Sequence, residues 1–183
     1  MKKIIFQVSF LLLMTNLYAQ IRSPKDFLGF EVGADRKLAD WAQIVDYFQI
    51  LNRTSQRVLV QDLGETTLGK PFLLAIISSP DTLSDLVSYQ DIQKTLADPR
   101  KTEKFPEELL ARGKTVILIT CGIHSTEVAS SQMSMEFVYE LATAEDKETQ
   151  EILENVIFLF VPSLNPDGVD IVTHWYRKTV GTV

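Results

Sequence analysis

The chain has 183 residues, enough for one domain of ordinary size. Hydrophobic residues make up 45% of it, which argues against intrinsic disorder and provides for a buried core. The formal net charge of −6, without a run of five or more basic residues, argues against nucleic acid and anionic membranes as partners.

The first 19 residues have the pattern of a secretory signal peptide. Lys2 and Lys3 form a short positive region, residues 4–14 are mostly apolar, and Ala19 is a small residue suited to the cleavage site. The apolar stretch is short for a membrane span, so we expect no stable membrane insertion after cleavage. The alternatives are a buried N-terminal strand or an uncleaved anchor. Cleavage would leave residues 20–183 as the mature chain.

Apolar runs and helical patterns alternate along this mature part. The predicted strands are residues 58–63, 72–77, 115–121 and 156–161. The predicted helices are residues 41–51, 83–96 and 127–141. The last three strands are continuous apolar runs, which is typical of strands buried on both faces. Short apolar strands separated by helices predict an α/β fold in which the centre of the sheet is largely parallel.

A histidine and a carboxylate follow the strand over 115–121, in the segment GIHSTE at residues 122–127. If the chain turns there from strand to helix, with Ser125 or Thr126 as the cap, His124 and Glu127 can reach one ion. The helix dipole favours an ionised Glu127, and imidazole and carboxylate are ordinary zinc ligands. The H-x-x-E pattern is common, and its alternative is a polar loop histidine beside a glutamate that suits a helix start.

A second polar segment, PSLNPDG at residues 162–168, follows the strand over 156–161. Ligands of such folds bind at the carboxyl ends of the strands, where both polar segments are expected. Pro166, Asp167 and Gly168 have good turn chemistry. Taken alone, the segment is explained as an ordinary surface turn.

The two segments together, strand–G-x-H-x-x-E–helix and then strand–x-x-x-N-P-D-G, resemble the M14 family of zinc carboxypeptidases. Residues 173–179 (THWYRKT) resemble the basic segment that follows NPDG in that family. Residues 27–31 and 64–71 are similar to the leading part of its exported bacterial members. The resemblance implies a mixed, centrally parallel sheet with helices on both faces. It also implies export to the periplasm or the medium by a bacterial cell.

The resemblance further implies a Zn2+ cofactor and a peptide or peptide-like substrate, cleaved next to its C-terminal carboxylate. His124 and Glu127 match the family's first two zinc ligands, and Arg177 matches an arginine that stabilises the oxyanion. The third histidine ligand, the Asn-Arg pair, the tyrosine and the general-base glutamate of the family lie downstream and have no match here. We therefore expect residues 20–183 to be the N-terminal part of a truncated catalytic domain, inactive alone. A related zinc amidase or deacylase, or an inactive binding domain, are the alternatives.

Two further residues are candidates for the site. His174 is the other histidine of the chain and a conceivable third ligand, but the resemblance assigns its position to the segment near Arg177. Its alternative is a partly exposed neighbour of Trp175. Cys121 is close enough to His124 in sequence to suggest a thiol nucleophile, although a cysteine that ends an apolar strand is usually inert core. Since it is the single cysteine, no internal disulfide is possible.

Overall fold

The computed structural model describes residues 21–98, 100 and 107–182. The signal peptide predicted over residues 1–19 lies outside these residues. Across the part of the chain that is described, no helix combines the length and the apolar character needed to cross a membrane.

Eight helices and four strands make up the described residues. The helices are α1 (Pro24–Leu28), α2 (Trp41–Thr54), α3 (Pro80–Ser84), α4 (Leu86–Ala97), α5 (Glu107–Arg112), α6 (Val128–Thr143), α7 (Lys147–Asn155) and α8 (Pro166–Thr179). The strands are β1 (Val58–Glu65), β2 (Pro71–Ile77), β3 (Thr115–Thr120) and β4 (Val156–Val161). The helix predicted over 83–96 is split into α3 and α4, because Asp85 leaves the helical conformation at φ −121° and ψ 29°.

The four strands form one mixed sheet in the order β1-β2-β4-β3. β2 pairs antiparallel with both β1 and β4, whereas β3 pairs parallel with β4, with Ile117 opposite Phe158 and Ile119 opposite Phe160. The predicted mixed α/β class is confirmed, and in the described residues the parallel pairing is confined to β3 and β4. Because these two strands are parallel, their carboxyl ends lie side by side at one end of the sheet.

The main core lies between one face of the sheet and the helices α2, α6 and α8. The buried residues of α2 recur at helical spacing and are Trp41, Ile44, Tyr47, Phe48 and Leu51. Their partners in the same cluster include Leu73, Ala75 and Ile77 of β2, Phe158 and Phe160 of β4, Met135 and Val138 of α6, and Val169 of α8. Alternate residues of each strand therefore supply this face, as the period of two along a strand requires.

The opposite face of the sheet is covered in part by α4. An apolar cavity of about 180 Å³ separates the helix from the strands. Its lining includes Leu86 and Tyr89 of α4, Ile76 of β2, and Ile157 and Leu159 of β4. Helices thus lie on both faces of the sheet, and the core on the α2 side is the more completely packed of the two.

The strand β3 is less buried than its sequence predicts. Val116, Ile117 and Leu118 are 40%, 38% and 63% exposed. Within the described residues β3 is the outermost strand, so one of its edges has no neighbouring strand and its faces are incompletely covered. Burial of β3 on both faces was therefore a wrong prediction, because an apolar sequence does not reveal whether a strand is central or at the edge.

Candidate functional site

The two polar segments meet because the pairing of β3 with β4 continues beyond both strands. The Cys121 amide donates to the Val161 carbonyl at 3.0 Å, and the Leu164 amide donates to the Cys121 carbonyl at 2.8 Å. The loop at residues 122–127, which we call the histidine loop, is thereby placed beside residues 162–165. Both lie at the carboxyl ends of parallel strands, where sites of α/β folds form.

His124 and Glu127 converge within the histidine loop. His124 Nδ1 lies 2.7 Å from Glu127 Oε1, and the His124 amide donates to Glu127 Oε2 at 3.1 Å. The side chains are 76% and 45% exposed, so both are open to solvent. The structure thus brings the imidazole and the carboxylate together, well inside the separation of about 5 Å that one shared ion allows.

The backbone of the histidine loop is shaped by Gly122, whose φ of +50° lies in the left-handed region. A Cβ atom at this position would lie 2.9 Å from the buried Oγ of Ser131 on α6, which is closer than real Cβ contacts come. α6 begins at Val128 with Glu127 as its N-cap residue, and no side chain caps it. The predicted cap by Ser125 or Thr126 is therefore wrong, and the loop instead packs tightly against the start of α6.

The hydrogen bonds of Glu127 favour its ionised form. The side-chain hydrogen bond with His124 is the largest cause that lowers the pKa of Glu127, and the His124 amide adds to it. The position of Glu127 at the start of α6 also suits a negative charge, because the helix dipole is positive there. A carboxylate that is already ionised is in the form that a metal ion requires.

The donor set of the histidine loop fits zinc in part. Imidazole nitrogen and carboxylate oxygen are both ordinary zinc ligands, and a catalytic zinc takes three from the protein. No cluster of three or more His, Cys, Asp or Glu suited to a metal occurs in residues 21–98, 100 and 107–182. His174 is exposed on α8 and belongs to no such cluster. The third ligand therefore stays a prediction. His124 and Glu127 supply two of the three protein ligands that a catalytic zinc requires.

Cys121 is 5% exposed and belongs to the core cluster, and burial raises the pKa of its thiol. A buried thiol with a raised pKa carries little thiolate at neutral pH, which is the reactive form. These observations support the interpretation of Cys121 as inert core.

Arg177 makes its observed contacts at the start of α2. Its guanidinium donates to Asp40 Oδ2 at 2.7 Å and to the Leu38 carbonyl and Gln43 Oε1 at 3.0 Å each. Arg177 lies eleven residues beyond Pro166, the first residue of α8, which corresponds to about 16 Å along the helix. The oxyanion role of Arg177 stays a prediction, while these contacts hold the end of α8 to α2.

The NPDG segment does more than form a surface turn. Asn165 is the N-cap of α8 and Pro166 occupies its first turn, while the Asp167 carboxylate accepts from the Thr66 hydroxyl at 2.6 Å and from the Leu68 amide at 3.2 Å. The segment thus opens α8 and holds the turn between β1 and β2. The pattern of Asn before Pro is itself a signal for a helix start, so the cap could have been predicted from sequence.

Comparison with solved structures agrees with this fold. The thrombin-activatable fibrinolysis inhibitor is similar with a TM-score of 0.54 and 16% identity, over 85% of this chain and 32% of that one. Carboxypeptidase A from Helicoverpa armigera is similar with a TM-score of 0.51 and 16% identity, over 86% of this chain and 32% of that one. At such identities the likeness concerns the fold. The chain spans about a third of the length of these structures.

Sequence comparison identifies the family. Cytosolic carboxypeptidase-like protein 5 from Danio rerio is 32% identical over 77 residues, which cover 39% of this chain and 9% of that protein. The Peptidase_M14 family, described as zinc carboxypeptidase, matches residues 44–181, a span that contains both the histidine loop and the NPDG segment. The chain therefore belongs to the zinc carboxypeptidase family.

Proposed function

We propose that His124 and Glu127 are two of the zinc ligands of a metallocarboxypeptidase that hydrolyses a peptide bond next to a C-terminal carboxylate. The observation that carries this proposal is the 2.7 Å approach of His124 Nδ1 to the Glu127 carboxylate, at the carboxyl end of β3. Membership of the zinc carboxypeptidase family supports the choice of metal and of reaction.

Each residue has a defined task in this proposal. Zinc, when bound, acts as a Lewis acid that polarises a carbonyl group. Glu127 contributes a negative charge that its hydrogen bonds from His124 already stabilise. His124 contributes a nitrogen lone pair, so the metal ion would take the place of the proton that Nδ1 shares with Glu127 in the contact seen here. The exposure of both side chains leaves the histidine loop accessible to a peptide from solvent.

The proposal is tested by titrating the purified chain with Zn2+ in a calorimeter or against a metal-sensitive dye. His124→Ala and Glu127→Gln should each weaken Zn2+ binding at least about tenfold, because each removes one ligand from an incomplete set. His174→Ala is the matched control, because it removes the other histidine at an exposed position on α8. If all three variants bind Zn2+ as the unmodified chain does, the metal site is rejected.

A second proposal is that the chain of 183 residues has no carboxypeptidase activity by itself. The specific observation is that the described residues offer two zinc donors at the histidine loop and no cluster of three. We expect substoichiometric zinc and no release of C-terminal residues from peptides. Stoichiometric zinc with steady turnover would contradict this. Parallel assays on N-acylated and amidated substrates would show whether a longer protein containing this chain is an amidase or deacylase instead.

We also propose that the protein is exported, on the basis of the positive, apolar and small-residue regions within residues 1–19. Expression of the full sequence in a bacterial host should yield a product whose N-terminal residue is Gln20. Lys2→Glu with Lys3→Glu should reduce that processing, because it reverses the charge of the positive region. An unprocessed N-terminus in the unmodified protein would reject export by this signal.

A further inference from the structure

Asn165 contacts two different segments through the two atoms of its side-chain amide. Its Oδ1 accepts from the Gly168 amide at 2.9 Å, which caps α8. Its Nδ2 donates to the Ile123 carbonyl at 3.1 Å. Ile123 directly precedes His124, so one side chain joins the start of α8 to the backbone of the histidine loop.

Gly168 brings the same two segments into close contact. A Cβ atom on Gly168 would lie 2.6 Å from Asn165 Nδ2 and 2.7 Å from Ser125 Oγ. Real Cβ atoms do not approach other heavy atoms this closely. The first turn of α8 therefore packs directly on Ser125, one residue beyond His124, and a side chain at position 168 would displace the side chains of Asn165 and Ser125.

The imidazole of His124 has little else to hold it. Its side chain is 76% exposed, so packing against neighbouring side chains contributes little to its position. Its hydrogen bonds are with Glu127 of the same loop, so they do not tie the imidazole to the sheet. The position of His124 relative to the sheet is consequently set by the backbone of the loop, to which Asn165 is hydrogen-bonded at the adjacent residue.

We propose that Asn165 and Gly168 are positioning residues for His124: they fix the histidine loop against α8 so that its imidazole and the Glu127 carboxylate are held ready for a metal ion. This inference rests on the proposed function for its consequence in zinc binding, whereas its claim about the loop is independent of any metal. Groups that orient metal ligands from outside the ligand set typically change metal affinity by about ten- to hundredfold when they are altered.

The test uses Asn165→Asp in the purified chain. Aspartate is as good an N-cap as asparagine, so the bond to the Gly168 amide is retained. The Nδ2 donor, however, becomes an acceptor that faces the Ile123 carbonyl. The matched control is Asn155→Asp, because Asn155 Nδ2 donates to the Glu151 carbonyl at 2.8 Å in α7 and the chemical change is identical.

Two readouts separate the inference from the proposed function. Without metal, amide hydrogen exchange followed by NMR should be about tenfold faster at His124 and Glu127 in Asn165→Asp, and unchanged at both in Asn155→Asp. With Zn2+ added, Asn165→Asp should bind about tenfold more weakly or worse, and Asn155→Asp as the unmodified chain does. Unchanged exchange in Asn165→Asp would overturn the positioning role whatever happens to zinc.

Loss of exchange protection without any zinc binding by the unmodified chain would keep the positioning role and reject the metal site. Asn165→Ser supplies a second variant, because serine caps α8 equally well and is too short to reach the Ile123 carbonyl. It should reproduce the faster exchange without adding a charge. If Asn165→Asp fails to fold, the result with Asn165→Ser decides, and normal exchange at His124 in that variant would overturn the proposal.

Discussion

The strands β2 and β3 have similar apolar sequences and very different surroundings. β2 lies between β1 and β4, and its residues Ile76 and Ile77, on opposite faces of the sheet, are 4% and 0% exposed. β3 is the outermost strand of the described sheet, and its residues Leu118 and Ile117, in line with them across β4, are 63% and 38% exposed. An apolar run therefore shows that a strand is able to be buried, whereas the number of neighbouring strands decides whether it is.

The surroundings of β2 and of β3 also differ in their polar side-chain contacts. We call α2, β1, β2 and α8 the closed side, and β3 with the histidine loop the open side. On the closed side Asp170 is 6% exposed, accepts from the Trp41 amide at 2.8 Å and pairs with Lys70 at 2.5 Å. On the open side His124 and Glu127 are exposed and bond to each other within one loop. Stability should therefore depend mainly on the closed side, and metal binding on the open side together with the Asn165 contact that joins the two.

The largest expected effect is a cavity in β2. Ile77→Ala should lower the free energy of unfolding by about 2–5 kcal/mol, because Ile77 is fully buried and its loss leaves a hole in a packed core. Urea denaturation followed by circular dichroism measures the change. Leu118→Ala on β3 is the control and should cost less than about 1 kcal/mol. Equal losses in the two variants would show that β3 is as well buried in solution as β2, which would break the comparison.

The second effect concerns the buried carboxylate of Asp170. Asp170→Ala should cost about 1–3 kcal/mol, because the Trp41 amide and Lys70 both lose their partner. Asp91→Ala is the matched control, since Asp91 pairs with Lys94 while both side chains are about two-thirds exposed. That control should change the free energy of unfolding by no more than about 0.5 kcal/mol. Similar values for the two aspartates would mean that the Asp170 contacts do not stabilise the closed side.

The third effect is a dependence of stability on acid pH through Asp40. Burial alone would raise the pKa of Asp40, but the Gln43 amide and the Arg177 guanidinium outweigh it and hold this pKa below the ordinary value of 3.8. The charge of His174 acts in the same direction. The stabilisation is therefore complete above the ordinary pKa and is lost as the pH falls through the lower pKa of the folded state.

Arg177→Ala should consequently reduce the free energy of unfolding at pH 7 by about 1 kcal/mol and flatten its fall as the pH drops below the ordinary pKa of 3.8. Urea denaturation at several pH values measures both changes. Lys178→Ala removes the same charge from the adjacent exposed residue and should do neither. If instead a longer, active protein containing Arg177→Ala kept its stability and lost about a hundredfold in kcat, the predicted oxyanion role would be supported.

The smallest expected effect on stability comes from a substitution on β3. The same substitution should also change solubility. Leu118→Lys should change the free energy of unfolding by about 0.5 kcal/mol and reduce light scattering on concentration, because a charge on an exposed edge strand opposes association. Leu68→Lys is the control, since Leu68 is 62% exposed in the turn between β1 and β2 rather than in an edge strand. Equal reductions of scattering would assign the effect to net charge instead of to the open edge.

The sequence predicted the four strands and the helices α2, α4 and α6 because their apolar patterns are strong, whereas α1, α5, α7 and α8 were not predicted. The helical spacing from Trp41 to Leu51 corresponds to the buried face of α2, and each predicted strand is present. The break at Asp85 was missed because residues 80–97 have no glycine or second proline to mark it. An exposed edge was expected for a partial sheet, but its location at β3 was not predicted, because the order of strands in a sheet depends on contacts between distant segments, which a local pattern does not contain.

The candidate site was likewise predictable from sequence in part. The convergence of His124 and Glu127 was predictable, since a spacing of three residues at a strand end is a local property. The contacts of Arg177 with Asp40 and of Asn165 with Ile123 join residues that are far apart in sequence. No spacing rule signals such pairs. The resemblance drew attention to NPDG as a motif, but its contact with the histidine loop became visible through the fold.

The burial of Cys121 has a consequence for spectroscopy. As the single cysteine, 5% exposed and with a raised thiol pKa, it should react slowly with maleimides and other labels at neutral pH. A cysteine introduced at an exposed position such as Leu118 would then be the preferred attachment point without any background substitution. A fluorophore or spin label placed there would report directly on whether water, another molecule of the same chain or a different polypeptide occupies that edge.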